Sequence, residues 1–112
     1  TAAACCNDMR LLATPASVGN IPTAAGIEDY NSMGTTARHK LRDCITLAEQ
    51  VIAIELLTMA EAFEHHRPLV SGKGVEAAHA SIRSVVPALQ EDRSPSPDIE
   101  AIISLIRGGA LG

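Results

Sequence analysis

Residues 35–66 contain neither proline nor glycine. Along and just before that run, Met33, Ala37, Leu41, Cys44, Ala48, Val51, Met59 and Phe63 fall in register, with Glu55 at the one place where a charge interrupts the series. Steps of three and four mark one face of an α-helix. Between Val51 and Ala60 the run is apolar nearly all round, and a helix without a polar face is one that is buried. About thirty residues at ~1.5 Å each span roughly 50 Å, whereas a compact chain of this size has a radius of gyration near ~13 Å. The other residues are too few to wrap such a helix. Part of its apolar surface is expected to meet another chain or another part of the same protein. The fold class expected is all-α: a long-helix bundle of one very long core helix and shorter C-terminal helices, with residues 1–112 as one piece of a larger helical oligomer.

Composition narrows the function. A net charge of −4 disfavours nucleic acid as a partner, since such proteins show a basic patch. Arg38, Lys40 and Arg42 lie close together, but Lys40 and Asp43 are three apart, the pattern of a solvated helix face. Only Tyr30 and Phe63 are aromatic, too few for a base-stacking surface. No stretch of about 18 apolar residues is present, so no membrane span is expected. Cys5, Cys6 and Cys44 form neither a CxxC pair nor an even framework. They read as small buried hydrophobes of a reducing, cytoplasmic protein. The opening residues, Thr-Ala-Ala-Ala-Cys-Cys without an initiator Met, resemble the middle of an element, as in an excised or cleaved piece.

Taken in order, residues 1–12 are Ala-rich and read as a helix. Residues 13–27 carry Pro15, Gly19, Pro22 and Gly26 as breakers, yet also Val18, Ile21 and Ile27. A loop this long in a compact domain is usually functional or disordered; this one is too apolar for a solvated linker and is expected to be packed. Asp29, with Ser32 three residues on, is a good N-cap for the long helix, which leaves the carboxylate of Glu28 free for other work. Glu55 on the apolar stripe is expected to be paired. His65, His66 and Arg67 suit the negative end of the helix dipole, and Pro68 stops the helix. Neighbouring histidines lack the i, i+4 spacing of a helical metal site, and His39 and His79 are remote, so no metal is expected. Residues 75–86 read as a second helix, apolar at Val75, Ala78, Ile82 and Val85 and ended by Pro87. A third follows, capped by Ser96 with Pro97 at its first position, buried along Ile99, Ile102, Ile103 and Ile106, and closed by Gly108 and Gly109.

These patterns alone stop at a helical piece of a larger bundle. The segments Ala13-Thr14-Pro15-Ala16-Ser17-Val18, Ile21-Pro22-Thr23, Glu28-Asp29 and Ser32-Met33-Gly34 add to them. So do Ala53-Ile54-Glu55-Leu56-Leu57 and Pro97-Asp98-Ile99-Glu100. In this order and at these distances they resemble the C-terminal part of the histidine ammonia-lyases and, more broadly, of the aromatic amino acid lyase and aminomutase family. The resemblance covers almost the whole chain.

It implies a bundle of very long helices in a homotetramer, with active sites built from several subunits and a small amino acid as substrate. It also implies a methylidene-imidazolone electrophile formed from an internal Ala-Ser-Gly; no such triplet occurs in these residues. The family's catalytic tyrosine does not match Tyr30. What maps onto this chain is the histidine-type Gln-Glu-Asp-His motif, with Glu28 and Asp29 at its acidic positions. Glu28 is thereby implied as catalytic, and Glu28, Ile27 and Tyr30 as substrate-facing. Ile27 stands where the family has Gln, Gly26 where it often has Asn, and Tyr30 in place of His, so amide donors near the substrate are lost. The implied reaction is loss of ammonia from an aromatic or heteroaromatic amino acid, histidine first because Glu28 is a carboxylate. A reading of another class stands beside it: a non-catalytic helical assembly module, or an inactive relative of the same fold.

Overall fold

The computed structural model describes residues 1–111. Four α-helices follow in order: α1 (Ala2–Leu12), α2 (Gly34–His66), α3 (Lys73–Arg83) and α4 (Ser96–Arg107), with two short 3-10 turns between α1 and α2. The described residues contain no strand beyond one isolated bridge, Thr23 with Glu28, so the chain is all-α. It divides into two compact units, residues 1–48 and residues 49–112, and α2 contributes its first half to one and its second half to the other.

The 33 residues of α2 are Gly34 followed by the whole proline- and glycine-free run, 35–66. The start differs from expectation. Asp29 does not cap the helix, because the chain between it and Gly34 is irregular. Met33, at φ 51°, supplies the carbonyl that accepts the N–H of Ala37 at 3.0 Å. The left-handed turn at Met33 re-aims the chain into the helix and separates Asp29 from the first free N–H groups.

In the first unit, α1 lies against α2. The Cys44 thiol is 4.0 Å from the carbonyl oxygen of Met9, and the Lys40 ammonium bonds the carbonyl of Thr14, so Lys40 has a structural partner rather than being merely solvated. Cys5 is buried and Cys44 half-buried, but Cys6 is exposed, because adjacent helical residues point about 100° apart.

The second unit holds the main core. Ala53 and Ala60 of α2, Ile82 of α3, Val86 just beyond it and Ile102 of α4 are buried, with Leu56, Leu57, Ile99, Ile103 and Ile106 packed around them. Small Ala53 and Ala60, seven apart on one face, let the other helices approach closely. Glu55 is exposed and makes no ion pair among the described residues, which corrects the expected pairing: the buried face runs through Ala53, Leu57 and Ala60, and position 55 lies well round the helix from it. The apolar residues elsewhere on α2 are not wrapped; Leu41, Ile45, Ile52 and Met59 stay exposed.

The second helix starts two residues earlier than expected and ends at Arg83, not Val86. Pro87 biases the residue before it away from helical geometry. Outside the helix the inward position passes from Val85, which is 43% exposed, to Val86 at 0%. In α4 the N-cap position falls to Pro95 and Ser96 makes no capping bond, one residue from the expected boundary, while the expected buried stripe is retained.

Ion pairs tie the helices of this unit together. Arg83 donates from Nε to Glu64 at 2.9 Å and from its terminal nitrogen to Glu61 at 2.9 Å. His79 Nε2 lies 3.0 Å from the same Glu64 oxygen. Arg67 meets Glu76 through two bonds of 3.2 and 2.9 Å, and Glu76 also accepts the N–H of Ser71 at 2.8 Å, reaching back over the start of α3 as a carboxylate in a first turn can.

Candidate active-site loop

The segment between α1 and α2 is ordered by its own hydrogen bonds, and two rungs cross it. The outer rung joins Asn20 and Asn31: the Asn20 amide donates to the Asn31 carbonyl at 3.1 Å and its oxygen accepts the Asn31 N–H at 3.2 Å. The inner rung joins Thr23 and Glu28. The Thr23 N–H donates to the Glu28 carbonyl at 2.8 Å, and the Glu28 N–H returns to the Thr23 carbonyl at 3.3 Å. The Thr23 hydroxyl donates to Glu28 Oε2 at 3.1 Å.

The tip between the rungs is wound left-handed. Ala24, Ala25 and Gly26 have φ of 50°, 55° and 86°, with bonds of 3.0 Å from Gly26 N–H to the Thr23 carbonyl and 3.1 Å from Ile27 N–H to the Ala24 carbonyl. Gly26 adopts this region freely, whereas each alanine there costs about 1–2 kcal/mol. Backbone strain of this kind concentrates at functional sites, where the surrounding structure holds it in place.

The three positions implied as substrate-facing sit on this loop. Glu28 is exposed, with Oε2 engaged by Thr23 and Oε1 taking no hydrogen bond from the described residues. Ile27 is 86% and Tyr30 70% exposed. Of residues 13–27, expected to be packed, Ala16, Ser17 and Asn20 are half-buried, but 21–27 are all exposed, as are 28–30, so the expectation is corrected for the second part of the loop: it is held by internal bonds and is not covered by the residues of its own unit. The geometry offers an acceptor-only carboxylate, fixed through one oxygen and open at the other, beside an apolar and an aromatic side chain. Among the described residues no three His, Cys, Asp or Glu side chains come together as a metal-holding group. The roles of Thr23 and Asn20 were not visible in the sequence; the one available signal was Gly26 between Thr23 and Glu28, which allows the sharp return.

A model of the aromatic amino acid lyases matches residues 1–84. The chain belongs to the aromatic amino acid lyase family. It is similar to histidine ammonia-lyase of Stigmatella aurantiaca, with 43% identity over 99% of this chain and 22% of that protein. It is likewise similar to histidine ammonia-lyase of Sorangium cellulosum, with 46% identity over 94% of this chain and 20% of that one. The chain thus spans about a fifth of the length of these lyases. Among solved structures it superposes on histidine ammonia-lyase from Trypanosoma cruzi with a TM-score of 0.93 at 35% identity, covering 97% of this chain and 22% of that one. Ergothionase from Treponema denticola, an ergothioneine-degrading enzyme, gives 0.87 at 28% identity over the same shares. The matched residues of the lyase family model include α1, the clasped loop, α2 and α3, so the strained tip and Glu28 lie within them.

Proposed function

We propose that residues 1–112 are the C-terminal helical portion of an ammonia-lyase that removes ammonia from an aromatic or heteroaromatic amino acid, L-histidine foremost. In this reading α2 is a core helix of a homotetramer. The observation that carries it is the Glu28 carboxylate: exposed, fixed through Oε2 and open at Oε1, on a strained loop of a lyase-family chain. Such a carboxylate can accept a hydrogen bond from the substrate ammonium and hold a proton for the leaving amine. Ile27 and Tyr30 beside it present apolar and aromatic surface where an amide and an imidazole would bond the substrate, so selectivity here leans on shape. The methylidene-imidazolone that the resemblance implies forms from Ala-Ser-Gly. This chain has no such run, and it is expected to be inactive by itself.

The test is Glu28→Gln in the full-length protein, followed by the absorbance of urocanate formed from L-histidine. This change keeps the shape and removes the charge. A carboxylate that transfers a proton is worth a factor of roughly 10²–10⁴ in rate, so turnover is expected to fall by that much with melting nearly unchanged. Asp29→Asn serves as the control for melting, since Asp29 is exposed and lies outside α2. Full turnover by Glu28→Gln on every aromatic amino acid tried would make Glu28 structural. The second reading, a non-catalytic assembly module, draws on Gly26 and Ile27 at the amide positions. An upstream reading frame without Ala-Ser-Gly would favour it.

A further inference from the structure

We propose that Thr23 is a positioning residue for Glu28, an inference that rests on the reading of Glu28 given above. Thr23 meets Glu28 four times: through both backbone bonds of the inner rung, at 2.8 and 3.3 Å, and through its hydroxyl, 3.1 Å from Oε2 and a longer 3.5 Å from the Glu28 carbonyl oxygen. In the shorter of the two side-chain contacts the hydroxyl donates to the carboxyl oxygen. The backbone bonds fix where the Glu28 Cα stands. The hydroxyl restrains how its side chain turns, and it engages Oε2 while Oε1 takes no hydrogen bond from the described residues.

The tip explains why this pairing needs both residues. Thr23 is extended at φ −121° and ψ 175°, and the left-handed winding of Ala24, Ala25 and Gly26 brings Glu28 back to it after only five residues. A free glutamate side chain on an exposed loop samples many rotamers. One that must meet an ammonium in a reactive geometry loses rate when that sampling returns. Because the hydroxyl bond does not touch substrate, its loss is expected in kcat more than in KM.

The experiment uses the full-length protein with L-histidine as the probe. Thr23→Val keeps the β-branched shape, suits an extended backbone and preserves both backbone bonds, while removing the donor. It is expected to lower kcat about tenfold, as loss of a bond to a charged group does, with KM within about twofold. Thr23→Ser restores the donor and is expected to stay within about threefold of the parent; a purely structural role for the side chain would not show this rescue. Thr23→Ala gives the same comparison should the valine variant fail to fold. In the Glu28→Gln background Thr23→Val is expected to cause no further loss, because its effect passes through the carboxylate. If Glu28→Gln is impaired while Thr23→Val is normal, or if the two losses multiply, the positioning role is overturned and the reading of Glu28 stands. If Glu28→Gln is itself normal, both fall together.

Discussion

Asn20 and Asn31 grip each other through a single side-chain amide, which gives one hydrogen bond to the Asn31 carbonyl and takes one from its N–H. The pair closes a loop of exposed residues that has no core of its own. Asn20→Ala removes both bonds, each worth about 0.5–1.5 kcal/mol net. Hydrogen exchange at the Asn31 amide in the full-length protein is expected to quicken by about tenfold or more, with global melting almost unchanged. Exchange at the parent rate would show that the rung is not what orders the loop.

Assembly is the next expectation. Leu41, Ile45, Ile52 and Met59 are 61, 52, 47 and 50% exposed, and their steps of four and seven place them on one face of α2. Exposed apolar side chains one turn apart, as Leu41 and Ile45 are, seek a partner helix. The 112-residue chain is expected to self-associate at micromolar concentration in sedimentation, and Leu41→Glu with Ile45→Glu is expected to reduce that association. A compact monomer in the parent chain would refute the idea.

The acid response of the second unit follows from Glu64. The hydrogen bond from Arg83, with help from the charges of Arg83 and His79, holds its carboxyl below the ordinary value of 4.5. A depressed carboxyl binds fewer protons folded than unfolded, so its stabilising contribution is complete above that ordinary value. The contribution is lost as pH falls through the lower, folded value. Glu64→Gln is therefore expected to lower the melting temperature at neutral pH, with the gap from the parent closing as the pH drops below 4.5. Melting curves that stay parallel down to acid would contradict it.

Core packing gives a fourth expectation. Ile102 is 0% exposed among Ala53, Ala60, Ile82 and Val86. Ile102→Ala is expected to cost about 2–5 kcal/mol in denaturant unfolding, from lost burial and the cavity left behind. Leu69, at 72% exposure, is the contrast: Leu69→Ala is expected within about 0.5 kcal/mol of the parent.

The all-α class, the body and C-terminal end of α2 and the buried stripe of α4 were legible in the sequence because they depend on local rules. An unbroken run without Pro or Gly propagates a helix, and a 3.6-residue period puts Ile99, Ile102, Ile103 and Ile106 on one side wherever that side faces. The family, too, was legible, through short segments in fixed order. The position of Glu28 ahead of the long helix could likewise be read from the chain.

Tertiary structure decided what depends on residues distant in sequence or on the direction of the backbone. Asp29 looked like a cap by residue type, but a left-handed turn at Met33 placed it outside the helix. Val85 lost its inward position to Val86 because the chain leaves α3 before Pro87. Glu61 and Glu64 found Arg83 some twenty positions away, a pairing that only the packing of α3 on α2 creates. The clasp of Asn20 on Asn31 and the hold of Thr23 on Glu28 required two alanines in a region that alanine rarely adopts. Periodicity carries information about faces of one helix; it carries none about how an irregular segment turns, because there each bond depends on φ and ψ values that residue type leaves open.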